Sequence, residues 1–187
     1  MSATWAATAR RIRVSMGFLF AAFFLWRAHP SAASLAWSLL LTIPGVLLRA
    51  WASGFVKKNA ELAVTGPYAY TRNPLYLGSM LIAFGFAAAS RNLWIALLLA
   101  VLFLVIYVPV IRSEEEFLRG SFPDFAAYCA RVPRLLPRPT PARFPASTAG
   151  FSFSPALYRQ HREYNAALGT CAIYAALLIE FYLRHRA

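Results

Sequence analysis

Arg72 is placed to do polar chemistry at the edge of an apolar helix. It sits in Gly66-Pro67-Tyr68-Ala69-Tyr70-Thr71-Arg72-Asn73-Pro74-Leu75-Tyr76-Leu77-Gly78, a polar, aromatic turn that runs straight into an apolar stretch. A guanidinium presents a planar fork of donors that suits a carboxylate or a phosphate. At a helix start it also reads as a cation reaching for the membrane interface. Tyr68, Tyr70 and Tyr76 carry the same two readings, interfacial anchors or walls of a site. Thr65-Gly66-Pro67 has turn chemistry. Asn73 falls where a helix N-cap is wanted, and Pro74 at the first helical position, where its missing N–H loses nothing. The amides of such a helix start, with about half a positive charge, favour an anionic ligand.

Glu114, Glu115 and Glu116 follow a long apolar run directly. Three adjacent carboxylates repel one another unless cations lie near. They form either a solvated helix end or, if one or two point back, a seat for an ammonium group. Arg131, in Tyr128-Cys129-Ala130-Arg131-Val132-Pro133-Arg134, is a further candidate for charge recognition, or an ordinary basic residue of a cytoplasmic segment. The sequence has no Gly-rich phosphate loop, no Ser/His/Asp set and no Cys/His ligand pattern, so hydrolase, kinase and metalloenzyme readings are weak. His29, His161 and His185 are far apart, and no metal site is expected. Cys129 and Cys171 give no reason to expect a disulfide.

Membrane helices must position these residues. The 187 residues are 59% hydrophobic and only 14% charged, with mean hydropathy +0.51, against about half and a quarter in soluble domains. The apolar runs are Val14–Trp26, Leu35–Trp51, Leu75–Ala89, Leu93–Ile111 and Asn165–Leu183. They predict an all-α, multi-pass bundle of about five membrane helices in a single domain. The basic lead with Arg10, Arg11 and Arg13 resembles a secretory signal, but we expect it to be retained as the entry to a first, short span. Pro44-Gly45 predicts a kink and close packing in the second span. Arg91-Asn92 turns the short third run into the fourth. Gly78, Ile82, Gly85 and Ala89 make a small-residue stripe for helix–helix contact. Arg112 to Tyr128 reads as a charged, partly amphipathic helix, Arg131 to Pro145 as irregular chain, and Ser154 to Tyr164 as a short interfacial helix. Gly169 should break the fifth run.

The formal net charge is +12. The basic residues flank apolar runs instead of forming a continuous tract, which argues against nucleic acid and for positive-inside bias. With the N-terminus inside, all 19 Lys and Arg except Arg27, Arg91, Arg184 and Arg186 lie on the cytoplasmic side. The Arg72 motif, the glutamate run and Arg131 then share that face.

Gly66–Gly78 resembles the Gly-x-Tyr…Arg-His-Pro-x-Tyr-x-Gly motif of isoprenylcysteine carboxyl methyltransferases, a region shared with phospholipid methyltransferases. Glu114-Glu115-x-x-Leu118 and Phe125-x-x-Tyr128-x-x-Arg131-Val132-Pro133 resemble the family's second signature. The match covers about Arg49 to Pro137; the segment from Phe151 on is an accessory element.

The resemblance implies an integral membrane methyltransferase using S-adenosylmethionine and releasing S-adenosylhomocysteine, with its cofactor site on the cytoplasmic face of the inner membrane. It implies Arg72 and Arg131 as catalytic residues. Gly66, Pro67, Tyr68, Tyr70, Asn73, Pro74, Tyr76, Gly78, Glu114 and Glu115 would form the cofactor site. Asn73 stands where the family has His, so an imidazole role is lost and a cap or hydrogen-bond role survives. The Ser121-Phe122-Pro123-Asp124 loop is shorter than the family's usual form.

A carboxylate acceptor is already ionised at neutral pH, whereas an amine must first lose a proton and no histidine is near. The expectation is methyl transfer to an amphiphilic, lipid or prenylated acceptor, carboxyl O-methylation first and phospholipid N-methylation second. No obligate protein partner is evident. A nicotinamide-dependent membrane reductase would need a large dinucleotide pocket, and a non-catalytic scaffold would bind no S-adenosylmethionine.

Overall fold

The computed structural model describes residues 21–57, 61–144 and 152–186. The basic lead and most of the first apolar run lie outside them. Among the described residues the chain is helical, with no strands. Residues 21–27 form α1. They are followed by α2 (Ala32–Ser53), a 3₁₀ turn (Gly66–Ala69), α3 (Pro74–Ser90) and α4 (Leu93–Leu102). A π-helical turn, Phe103–Tyr107, leads without interruption into α5 (Val108–Ser121). Then come α6 (Phe125–Arg131), α7 (Pro155–Gln160) and α8 (Tyr164–Arg186).

Among the described residues, three helical stretches are long and apolar enough to cross a bilayer: Ala32–Ser53, Leu93–Ser121 and Tyr164–Arg186. A 22-residue helix is about 33 Å long, enough for the hydrocarbon core. Large side chains such as Leu97, Val101, Leu104, Leu168 and Ile179 are exposed on these helices, as lipid-facing surfaces require. The protein is an integral membrane protein. At 17 residues, α3 reaches only about 25 Å. It turns back into α4 at Arg91, whose φ of 51° is left-handed, and the Asn92 side chain caps α4 by accepting from the Trp94 amide at 3.0 Å.

The α2–α3 pair is the tightest part of the bundle, and small residues make it so. A Cβ on Gly45 would lie 2.8 Å from the Gly78 carbonyl oxygen, and one on Gly85 only 2.1 Å from Thr42 Oγ1. Backbones can approach this closely only where side chains are absent. The small-residue stripe is therefore a packing surface. Gly78→Ala would set a Cβ 2.8 Å from the Gly45 carbonyl oxygen, and overpacking of this kind costs about 1–3 kcal/mol. Gly169 meets nothing within 4 Å, so Gly169→Ala should be neutral or stabilise by up to about 1 kcal/mol. Thermal unfolding of the two variants in detergent checks the contrast.

At mid-bundle the Tyr174 hydroxyl of α8 lies 2.7 Å from Ser38 Oγ and 2.8 Å from Thr42 Oγ1, fastening the last helix to α2. At one end, Phe24, Ala28, Leu35, Ala87, Ala89, Ile95 and Leu177 form a hydrophobic cluster. The opposite end gathers the start of α3, the end of α5, α6 and the α7–α8 turn.

Two expectations are corrected. The helix from Arg112 does not continue to Tyr128: it stops at Ser121, and α6 starts at Phe125. Phe122 is extended (φ −129°, ψ 114°), as a residue before proline prefers. Gly169 does not break α8. The close packing expected at Pro44-Gly45 is present, within a helix that continues past the proline. Pro44 is exposed while Gly45 is buried against α3, so the proline ring lies away from the close contact.

Candidate active site

Chain after α6 folds back over the Arg72 motif and pins it. The Arg72 amide donates to the Pro133 carbonyl at 3.0 Å, Arg138 N to Tyr70 O at 3.0 Å, and Ala142 N to Ala69 O at 2.9 Å. The Thr71 hydroxyl donates to Leu135 O at 3.0 Å, and Asn73 Nδ2 to Arg134 O at 2.9 Å. Asn73 thus occupies the N-cap position of α3 without a capping hydrogen bond, while its Nδ2 donates to the returning chain. Beneath lies a second apolar cluster of Val64, Phe125, Tyr128, Val132 and Ala142. The buried Tyr128 hydroxyl donates to the Tyr68 carbonyl at 2.8 Å. Burial pushes the Tyr128 phenol well above its ordinary pKa, more than the Arg72 charge lowers it, so this donor keeps its proton.

Glu115 is the electrostatic centre. It is only 6% exposed. Arg72 Nη1 lies 3.3 Å from its Oε1, and Arg134 donates through Nε and Nη2 at 3.0 and 2.6 Å to Oε2. That hydrogen bonding raises the Arg134 pKa further. The trio carries one net positive charge. Arg72 Nη1 also contacts Cys129 Sγ at 2.6 Å, while Arg72 Nε is buried with no hydrogen-bond partner. Unlike Glu115, Glu114 is exposed and accepts the Tyr76 hydroxyl at 2.9 Å.

The π-helical turn sets the aromatic wall. Its Val108 N–H bonds back to Phe103 O, just before Pro109, which has no amide to give. The turn stacks Phe103 on Tyr107 (5.2 Å, 12°) and sets Tyr107 edge-on to Tyr76 (5.6 Å, 82°). Such turns recur at functional sites.

Arg72 therefore meets Glu115 and Tyr76 meets Glu114, with Asn73 bonded to the Arg134 carbonyl, whereas Gly78 packs against α2 and Pro74 is buried at the start of α3. Gly66, at φ +58°, has the Phe55 ring where a Cβ would be, and Tyr68 is buried with Ala52 and Phe55. Pro67 is fully buried, and Tyr70 lies 6.4 Å from the Trp51 ring. Arg131 turns elsewhere: it is exposed, donates to the Arg143 carbonyl at 3.1 Å and lies over Phe144. Arg134, three residues on, takes the place at Glu115. A cavity of about 330 Å³ is lined by Val64, Thr65, Gly66, Ala69, Ala142, Arg143 and Phe144, none of which is a contact of Glu115.

The donor set fits an α-amino acid group. Arg72 has a spare buried N–H for a carboxylate, Glu114 is a reachable carboxylate for an ammonium, and an aromatic wall stands between α3 and α5. Among the described residues no group of three or more His, Cys, Asp or Glu could hold a metal ion.

Residues 45–124 match the phospholipid methyltransferase family. The matched segment makes up less than half of the chain. It holds α3, the aromatic wall and Glu114–Glu115, and it ends before Arg131 and Arg134. Over 108 residues, 54% of this chain and 50% of the relative, the sequence is 39% identical to the cobalt-zinc-cadmium resistance protein CzcN of Cupriavidus metallidurans. Over 110 residues, 58% of this chain and 52% of the relative, it is 36% identical to the nickel-cobalt-cadmium resistance protein NccN of Alcaligenes xylosoxydans xylosoxydans. The chain spans about half the length of these curated relatives. No solved structure matches it.

Proposed function

We propose that the protein transfers a methyl group from S-adenosylmethionine to an amphiphilic acceptor at the inner leaflet, its N-terminus and site facing the cytoplasm. One observation carries the reading: the Arg72 motif and the glutamate-led end of α5, 43 residues apart by their numbers, meet at the 3.3 Å contact of Arg72 and Glu115. Bound there, S-adenosylmethionine would supply a methyl group on a positively charged sulfur, which the acceptor oxygen displaces to leave S-adenosylhomocysteine. Arg72, steadied by Glu115, would hold the amino-acid carboxylate, and Glu114 the ammonium. Tyr76 and Tyr107 would shield the site from water. Such a reaction needs orientation and a fixed field more than proton transfer.

A carboxylate acceptor, as in isoprenylcysteine methylation, needs no base, and no histidine stands among the contacts of Arg72, Glu114 or Glu115. N-methylation of a lipid amine is the second reading, favoured by the description of the matched family. The relatives' names concern metal resistance and supply no acceptor.

Calorimetry of the detergent-purified chain with S-adenosylhomocysteine should show saturable binding. Glu114→Gln should weaken it about tenfold to a hundredfold, the range for a hydrogen bond to a charged group, with the unfolding midpoint unchanged. Radiolabelled methyl uptake by prenylated thioether acids and by phosphatidylethanolamine then separates the two acceptors. A wild-type chain that takes up no S-adenosylhomocysteine sinks the reading.

A further inference from the structure

Arg49, near the end of α2, uses its guanidinium from both edges. Nε and Nη2 donate to the two carboxylate oxygens of Glu163 at 2.9–3.1 Å. Glu163 lies 114 residues later, just before α8 and beyond the family-matched segment. From the other edge, Nη1 donates to the Leu75 carbonyl at 3.4 Å and to the Ser79 hydroxyl. Ser79 in turn donates to Leu75 O at 2.9 Å. The two charged side chains are 23% and 12% exposed, where an ion pair is far less screened than on an open surface.

These contacts fall on the start of α3, whose first turn has no side-chain cap from Asn73. Gly78 fits the same device: a Cβ there would lie 2.7 Å from Arg49 Cγ, so the motif's last glycine leaves room for the arginine to cross. Tyr76, between Leu75 and Gly78, bears the hydroxyl bonded to Glu114. The C-terminal segment has other attachments. Ser154 N donates to Gly54 O at 3.0 Å, His161 Nδ1 lies 3.1 Å from Ser53 O, and Tyr174 holds Ser38 and Thr42. Glu163 is therefore not required to keep α8 in place.

We infer that Glu163, acting through Arg49, is a positioning residue that sets the first turn of α3, and with it Tyr76, from outside the family-matched segment. The catalytic consequence rests on the proposed function; the structural one does not.

Hydrogen exchange of the full-length protein in detergent tests it at the Leu77, Gly78 and Ser79 amides. Glu163→Gln should speed their exchange about tenfold or more, with α4 and α6 unchanged. It should also weaken S-adenosylhomocysteine binding and raise KM by a similar factor, leaving kcat nearly as it was. The charge-swapped double variant, Arg49→Glu with Glu163→Arg, discriminates roles. It restores an ion pair to hold α8 but puts no donor beside Leu75 O, so α3 should stay fast-exchanging while the start of α8 regains protection. Unchanged α3 exchange in Glu163→Gln, or α3 protection restored by the swap, would overturn the inference and leave a simple tie for α8. If the wild-type chain binds no S-adenosylhomocysteine, the proposed function fails while the exchange experiment still decides the positioning role.

Discussion

Replacing Glu115 by Ala is expected to destabilise the protein and silence it together. The substitution leaves Arg72, only 13% exposed at its side chain, without its counter-ion, while Arg134 at 48% can turn to water. Removing one partner of a buried pair costs about 3–5 kcal/mol; the half-exposed Arg134 puts this case at the lower end. A loss near 3 kcal/mol lowers the unfolding midpoint of a chain this size by about 6–12 °C. Glu115→Gln keeps the shape and should move the same way by less. Thermal unfolding in detergent decides, and midpoints unchanged in both variants would mean that Glu115 does not hold the arginines.

The second large effect is kinetic. Arg72→Lys keeps a positive charge but loses the planar fork and the buried Nε donor, and Arg-for-Lys exchanges at such sites are not conservative. A fall of about tenfold to a hundredfold in kcat/KM is expected, carried mainly by KM for the cofactor, the range for a lost hydrogen bond to a charged group. Arg131→Ala provides the contrast. Its side chain is exposed and engaged with Arg143 and Phe144, and surface contacts of that kind are worth about 0–1 kcal/mol, so activity should change only a few-fold. Methyl-transfer assays of the two variants side by side check this. Equal losses would mean that Arg131 reaches the reacting groups in the working enzyme.

Local signals carried much of the architecture into the sequence. The four apolar runs from Leu35 onward are helices, the Arg91-Asn92 turn joins α3 to α4, and the glycine stripe on α3 meets α2. All of these depend on residues close in sequence or on plain hydropathy. The break at Phe122 was legible too, since Pro123 restricts the residue before it, but the amphipathic charge pattern on either side masked it.

The contacts that complete the site depend on where the chain returns. Arg131 and Arg134 look alike in sequence. Because α6 stays helical through Arg131, that side chain faces outward, and the extended residues that follow bring Arg134 to Glu115. The π-helical turn is hidden in an unbroken apolar run. Nothing local distinguishes Arg49 from other basic residues at helix ends, and its partner is 114 residues away.

That separation bears on how the chain is made. At about 5–20 residues per second, Arg49 leaves the ribosome roughly 6–23 s before Glu163. During that interval the second helix must enter the membrane with a guanidinium whose carboxylate has not yet been translated. Nascent chains halted before position 163 should therefore show α3 loosely seated, and completion of the last helix should be the step that locks it.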